Sequence, residues 1–440
     1  MLQTVLQTIQ HVFGSLGTLF RGVTDPRQAG KIRYPLPVLL FTGTWMFCCH
    51  LAARRQIHWR LRTAAGAVNM QALGGVATVP HGDTVERTFR RLNPEELQEV
   101  QCRAVERLIR QKMLAAYRLF DRSYRIAVDG SQVSTFEERH CAHCLTRTQD
   151  GKTTFYHHVL EAKVVAPNGF AISIMSEFIA NPGEHPTKQD CELKAFDRLA
   201  KRLKARFPRL PICLTLDGLY ACGRVFDLCR KFRWRYLIVL KEGDIPFLDQ
   251  EFHSLSAMEP KSHLAPRDRI THQAGQDGTI RQDLTWVNEI NYRDSHKRTH
   301  TVSVLECIET TSRRKTYRWV TDFRITKKNA PLVANGAGRI RWKIENEGFN
   351  TQKNGGFDLE HAYSKNENAE KIYYFLMQLA HLIEQLVAKG SLLKQRFPKG
   401  FGSVKNLAAS LLEAWRHVRL AADTWAQLAK IRIQLRFDSS

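Results

Sequence analysis

Arg125-Ile126-Ala127-Val128-Asp129-Gly130-Ser131 and, further on, Ile212-Cys213-Leu214-Thr215-Leu216-Asp217-Gly218-Leu219-Tyr220 are short apolar runs, each broken by Asp-Gly. Both read as strands. Tyr124 to Val133, Thr154 to Val165 and Phe170 to Ala180 form three β-rich runs, and a helical pattern covers Lys188 to Arg206. Pro211 to Leu216 is then a strand, Val225 to Phe232 a helix and Tyr236 to Leu240 a buried strand. Three strands followed by alternating helix and strand predict an α/β core with a mixed sheet.

Outward from this core the texture changes twice. Residues 1–118 are mainly helical: His81-Gly82-Asp83-Thr84 reads as a turn and cap, and Asn93-Pro94-Glu95-Glu96 joins a cap to a proline at the first helical position. Arg54, Arg55, Arg60, Arg62, Arg87, Arg90 and Arg91 make this region a candidate DNA-binding module, or simply a solvated basic face. Tyr34 to Ala53 is nearly free of charge and close to the length of a membrane span. Pro35, Pro37 and Gly43 interrupt it, and it reads as a buried helix. After the first core segment, 119–243, strand patterns return over 244–325 (Leu284 to Asn288, His300 to Ile308, Thr316 to Phe323), as expected of a β-rich insertion. Helical texture then covers a second core segment, 326–390, and a C-terminal tail, 391–440, with Ala369 to Ala388 and Val404 to Ile433 its longest stretches.

Lysine and arginine number 66 against 43 acidic residues, a formal charge of +23 over 440 residues. That excess suits a polyanion, because neutralising phosphates releases condensed counterions. The ten cysteines are scattered and no secretory pattern opens the chain. Reduced thiols in the cytoplasm, with no membrane partner, are the expectation.

Asp-Gly after an apolar run is first of all a turn signal. An α/β sheet, however, places ligands beyond the carboxyl ends of its strands, which is where both Asp129 and Asp217 fall. A third carboxylate lies in Arg341-Trp342-Lys343-Ile344-Glu345-Asn346-Glu347-Gly348-Phe349-Asn350, a helical pattern. At about 100° per residue from Arg341, Trp342 falls near 100°, Ile344 near 300° and Phe349 near 80°. Those residues mark an inward face that includes Glu345 at roughly 40°, whereas Glu347 at roughly 240° faces solvent. A carboxylate on an inward stripe needs a metal or cation to offset its desolvation. Arg341 and Lys353 flank Glu345 on this helix, as spaced charge pairs or as cations for DNA phosphates. Asp129, Asp217 and Glu345 can converge on two divalent ions, one activating a water or a 3′ hydroxyl and the other stabilising the leaving oxygen of a phosphodiester.

With these residues in place, the chain resembles the DDE transposases of bacterial insertion sequences, in the insertion-sequence-four-like group. The group's signature runs tyrosine, two residues, arginine, three residues, glutamate, six residues, lysine. Arg341 and Glu345 match it; Gly338 stands at the tyrosine position and Lys353 comes one residue late. The resemblance implies an RNase H-like mixed sheet flanked by helices, with a β insertion before the glutamate helix. It implies Asp129, Asp217 and Glu345 as catalytic ligands of two magnesium or manganese ions. It further implies cleavage at element ends, strand transfer into target DNA by a homodimer on DNA, and a place at the bacterial nucleoid. A catalytically inactive DNA-binding regulator is the alternative, and a nuclease without joining activity a third reading.

Other patterns carry weaker expectations. In His140-Cys141-Ala142-His143-Cys144 followed by His157-His158, two thiolates three positions apart and one imidazole could hold zinc through Cys141, Cys144 and His157. A strand would turn His157 and His158 to opposite faces, so one of them at most would join. Lacking a second Cys pair, free thiols in a surface loop are the preferred reading. Asp190 and Glu192 suit the start of a helix, with a secondary catalytic role as the lesser alternative. Trp286 and Trp319 have core packing as their default, although Trp319 is a candidate for stacking on a displaced base.

Overall fold

The two apolar runs become neighbouring parallel strands at the centre of a sheet. A computed structural model describes residues 1–183, 188–258, 262–273 and 276–437. Its strands are β1 (Tyr124–Phe136), β2 (Leu145–Gln149), β3 (Lys152–Val165), β4 (Ala171–Ile179), β5 (Ile212–Leu216), β6 (Arg235–Val239), β7 (His263–Gln273), β8 (Gln276–Arg293), β9 (Thr299–Thr310) and β10 (Arg314–Thr321). They form one sheet in the order β2-β3-β1-β5-β6-β10-β9-β8-β7, with β4 also on β3. β1, β5 and β6 are parallel. β3 runs antiparallel to β1 and to β4. β5 is buried throughout, as an all-apolar strand between two parallel neighbours must be.

The strands expected as an insertion do not stand apart from the core sheet. β10 pairs antiparallel with β6 through Trp319↔Val239 to Thr321↔Leu237, so β7–β10 extend the same sheet. Trp286, Leu305 and Trp319 nevertheless belong to a hydrophobic cluster separate from the main core, together with Cys213 of β5 and Leu237 of β6.

The N- and C-terminal helices share one body. Helix Leu36–Cys48, the uncharged segment, is buried over nearly its whole length. Its Trp45 ring lies 5.3 Å from that of Trp415, in helix Val404–His417. Helix Glu367–Lys389 lies against both the helical body and the sheet: Phe89 meets Tyr373, and Phe178 of β4 meets Tyr374. No helix among the described residues is long and apolar enough to cross a membrane.

One expected helix is two. The pattern over Val404 to Ile433 breaks after His417, and a short helix resumes at Thr424–Lys430. Buried Asn69 explains the break: its amide donates to the Trp415 and Val418 carbonyls and its oxygen accepts from Leu420 N. A side chain far away in sequence thus takes over backbone groups that another helical turn would have used.

Candidate functional site

Strand register brings the two aspartates together. Ala127 of β1 lies opposite Thr215 of β5, and Asp129 and Asp217 are each two residues further on. Adjacent parallel strands are about 5 Å apart, so the carboxylates emerge side by side. β5 ends there, and Asp217 caps the turn Gly218–Tyr220 by accepting from Leu219 N at 3.1 Å. β1 does not end at Asp129, as the Asp-Gly signal had suggested. It continues to Phe136 along β3, and Asp129 lies two residues beyond the last parallel pair, Ala127↔Thr215.

Glu345 joins through Arg341. The buried Arg341 guanidinium lies 2.8 Å from Glu345 Oε1 and 3.5 Å from Asp129 Oδ2. Burial pushes the Asp129 carboxyl up to about 7, with Arg341 opposing and Glu345 and Asp217 adding to the rise. Burial likewise raises Asp217, with Arg341 opposing and Glu192 reinforcing. Glu192 is therefore a fourth carboxylate here, 3.3 Å from His158 Nε2 and a hydrogen-bond acceptor for the buried Tyr220 hydroxyl at 3.4 Å. Sequence reasoning gave Glu192 only a lesser role; its signal was its place at the first turn of helix Glu192–Arg206.

The donor chemistry fits a hard divalent cation: carboxylate oxygens, the raised proton affinity of Asp129 and a half-exposed Glu345 held by Arg341. The three carboxylates are nevertheless not among the described groups whose ligand atoms all lie within 4.8 Å of one another. In this state Arg341 supplies positive charge between Asp129 and Glu345.

The segment carrying Glu345 corrects the regular-helix expectation. Arg339–Trp342 is a 3-10 turn, Ile344–Asn350 is π-helical and only Thr351–Asn354 is α-helical. These windings depart from 100° per residue, and π turns recur at functional sites. Trp342 is consequently 46 % exposed rather than inward, with the Arg339 guanidinium 5.6 Å from its ring centre. Glu347, expected in solvent, is half-buried and paired with Lys343 at 2.6 Å. Lys353 pairs with Glu360 at 2.7 Å.

Trp319 cannot stack on a base as expected, because it is 2 % exposed. A Cβ at Gly338 would meet its ring atoms at 2.5–2.9 Å, so a side chain at this position would displace the Trp319 ring. Gly338→Ala should therefore destabilise the fold by about 1–3 kcal/mol, read from urea unfolding. Adding Trp319→Leu should recover part of that loss; an additive double variant would show that the two do not meet. The exposed aromatic is Trp342, on a cavity of about 530 Å³ that Lys241, Arg318 and Arg341 also line.

The zinc expectation finds its residues together and adds one. Cys141 Sγ lies 3.2 Å from Cys144 Sγ and 3.1 Å from His157 Nε2. His140, outside the expected three, brings Nδ1 to 3.5 Å from Cys144 Sγ. His158 faces Glu192 instead, as strand alternation requires.

Fold and site together define an α/β protein with a carboxylate cluster just beyond the paired stretch of two adjacent parallel strands. Residues 18–103 match the family model of the DDE_Tnp_1-associated domain. No curated protein matches the chain.

Proposed function

We propose that this chain is a DDE transposase that cleaves DNA at the ends of an insertion sequence and joins the freed 3′ ends to target DNA. The observation that carries the reading is the convergence of Asp129, Asp217, Arg341 and Glu345 where the parallel pairing of β1 with β5 stops. The match over residues 18–103 and the +23 charge are independent support. The order β4-β3-β1-β5-β6, antiparallel then parallel, supports an RNase H-like core.

Asp129, Asp217 and Glu345 would hold the divalent ions, magnesium or manganese. Such ions lower the pKa of a bound water or hydroxyl and stabilise the leaving oxygen. The chain's own groups do the positioning. Leu219 N fixes Asp217, Gly130 N fixes Asp129 at 2.9 Å, and Arg341 keeps Glu345 beside them. Exposed Trp342 offers a face on which a nucleotide can stack, and Lys241 and Arg318 line the same cavity.

A DNA-binding regulator without catalysis is the second reading, favoured by the Arg341 bridge between Asp129 and Glu345. The deciding experiment incubates the full chain with DNA flanked by the native element ends, with magnesium or with EDTA. Magnesium-dependent nicks at the ends and joined products are expected. Binding without cleavage would establish the regulator, and cleavage without joining a nuclease.

A further inference from the structure

We infer that His140, Cys141, Cys144 and His157 bind one structural zinc ion, and that Glu370 is the positioning residue for His157. The inference is independent of the transposase reading, because zinc content is measured without DNA. All four ligand atoms lie within 4.8 Å of one another. A tetrahedral zinc with bonds of about 2.0–2.3 Å needs ligand separations of roughly 3.3–3.8 Å. The cysteines are free thiols rather than a disulfide.

The surroundings are those of a metal-bound histidine. With Nε2 turned to the thiols, His157 directs Nδ1 to Glu370 Oε2 at 2.5 Å. Ser134 Oγ donates to the other Glu370 oxygen at 2.6 Å. A carboxylate on the far nitrogen fixes the ring's tautomer and orientation and strengthens it as a ligand. The alternative ligand is otherwise engaged: His143 Nδ1 lies 2.7 Å from the Asn181 carbonyl oxygen and its Nε2 faces Glu367. Four protein ligands close the coordination shell, so the site is structural rather than hydrolytic.

Its place gives it a purpose. His140, Cys141 and Cys144 lie in the connection from β1 to β2, His157 is on β3, and Glu370 is on helix Glu367–Lys389. Buried Asn181 donates to the Cys144 carbonyl and accepts from Asp190 N, at the approach to the helix that carries Glu192. One ion would thus tie together the far end of the Asp129 strand, its neighbour and that approach.

Elemental analysis of the full chain, purified without chelator, should find about one zinc per chain. Cobalt(II) replacing it should give the intense visible bands of a tetrahedral ion and a near-ultraviolet thiolate charge-transfer band. The double variant Cys141→Ser/Cys144→Ser should lose the metal. Glu370→Gln should keep it with affinity lowered about 10–100-fold in chelator competition. A wild-type chain without zinc, whose cobalt form is pale and octahedral, would overturn the inference, as would zinc retained by the double variant. Should the double variant not fold, the wild-type cobalt spectrum still decides.

Discussion

Asp217→Asn is expected to lower magnesium-dependent DNA cleavage about a thousandfold or more, with Asp129→Asn close behind, while the fold is kept. Losing one ligand of a catalytic metal removes several kcal/mol of transition-state stabilisation, and each 1.36 kcal/mol is tenfold in rate. Asparagine keeps the shape and can still accept the capping hydrogen bond from Leu219 N that Asp217 now accepts. It also removes a buried negative charge, and burial is the largest cause raising the proton affinity of both aspartates. Urea midpoints should therefore be unchanged or slightly higher. Activity lost while stability is retained is the pattern of a site built for chemistry at the expense of stability. Glu347→Gln is the matched control: its carboxylate pairs with Lys343, so cleavage should stay near wild type. If Glu347→Gln abolished cleavage and Glu345→Gln did not, the assignment of the third ligand would be wrong.

Local patterns made the sheet's centre and its aspartates legible. β1 and β5 declared themselves through apolar runs broken by Asp-Gly, and the helix–strand alternation pointed to a mixed sheet, in which the two are parallel neighbours. Features decided by tertiary contact were hidden. Asn69 ends a helix hundreds of positions later through three hydrogen bonds. Trp319 is buried because Gly338 leaves room for it, a pairing visible only once β10 lies beside the glutamate segment. The phase reading assumed a uniform α-helix, whereas 3-10 and π turns set the segment's winding, so it misjudged Trp342 and the relative burial of Glu345 and Glu347. His140 stands beside the cysteines in sequence, but spacing rules favour repeated pairs, and its place with Cys141, Cys144 and His157 emerges only from the fold.

The second large effect concerns the pair beneath the site. Glu161 lies opposite Asp129 in the β1–β3 register, and its carboxylate is 2.9 Å from Lys163 Nζ, with both side chains fully buried. Lys163 also donates to Gln378 at 2.9 Å, and Ser173 and Ser176 donate to Glu161. Burial lowers the Lys163 pKa, and Glu161 opposes that shift. Breaking such a pair from one side strands a charge in the interior, so Lys163→Met should destabilise the protein by about 3–5 kcal/mol. Glu161→Gln should lose less, because glutamine still accepts from the two serines. Combining Glu161→Gln with Lys163→Met should recover most of the loss, since desolvating two charges offsets much of their attraction. A double-mutant cycle in urea measures this; single losses below about 1 kcal/mol, or strictly additive ones, would refute it. Gly348 rests on the Lys163 stem, where an added Cβ would meet Cδ and Cε at 3.2 Å, and the Phe349 ring centre lies 5.5 Å from Nζ. Lys163 therefore supports the segment that carries Glu345, and Lys163→Met should also slow cleavage under conditions where the variant is fully folded. Cleavage left unchanged there would confine the buried pair to stability alone.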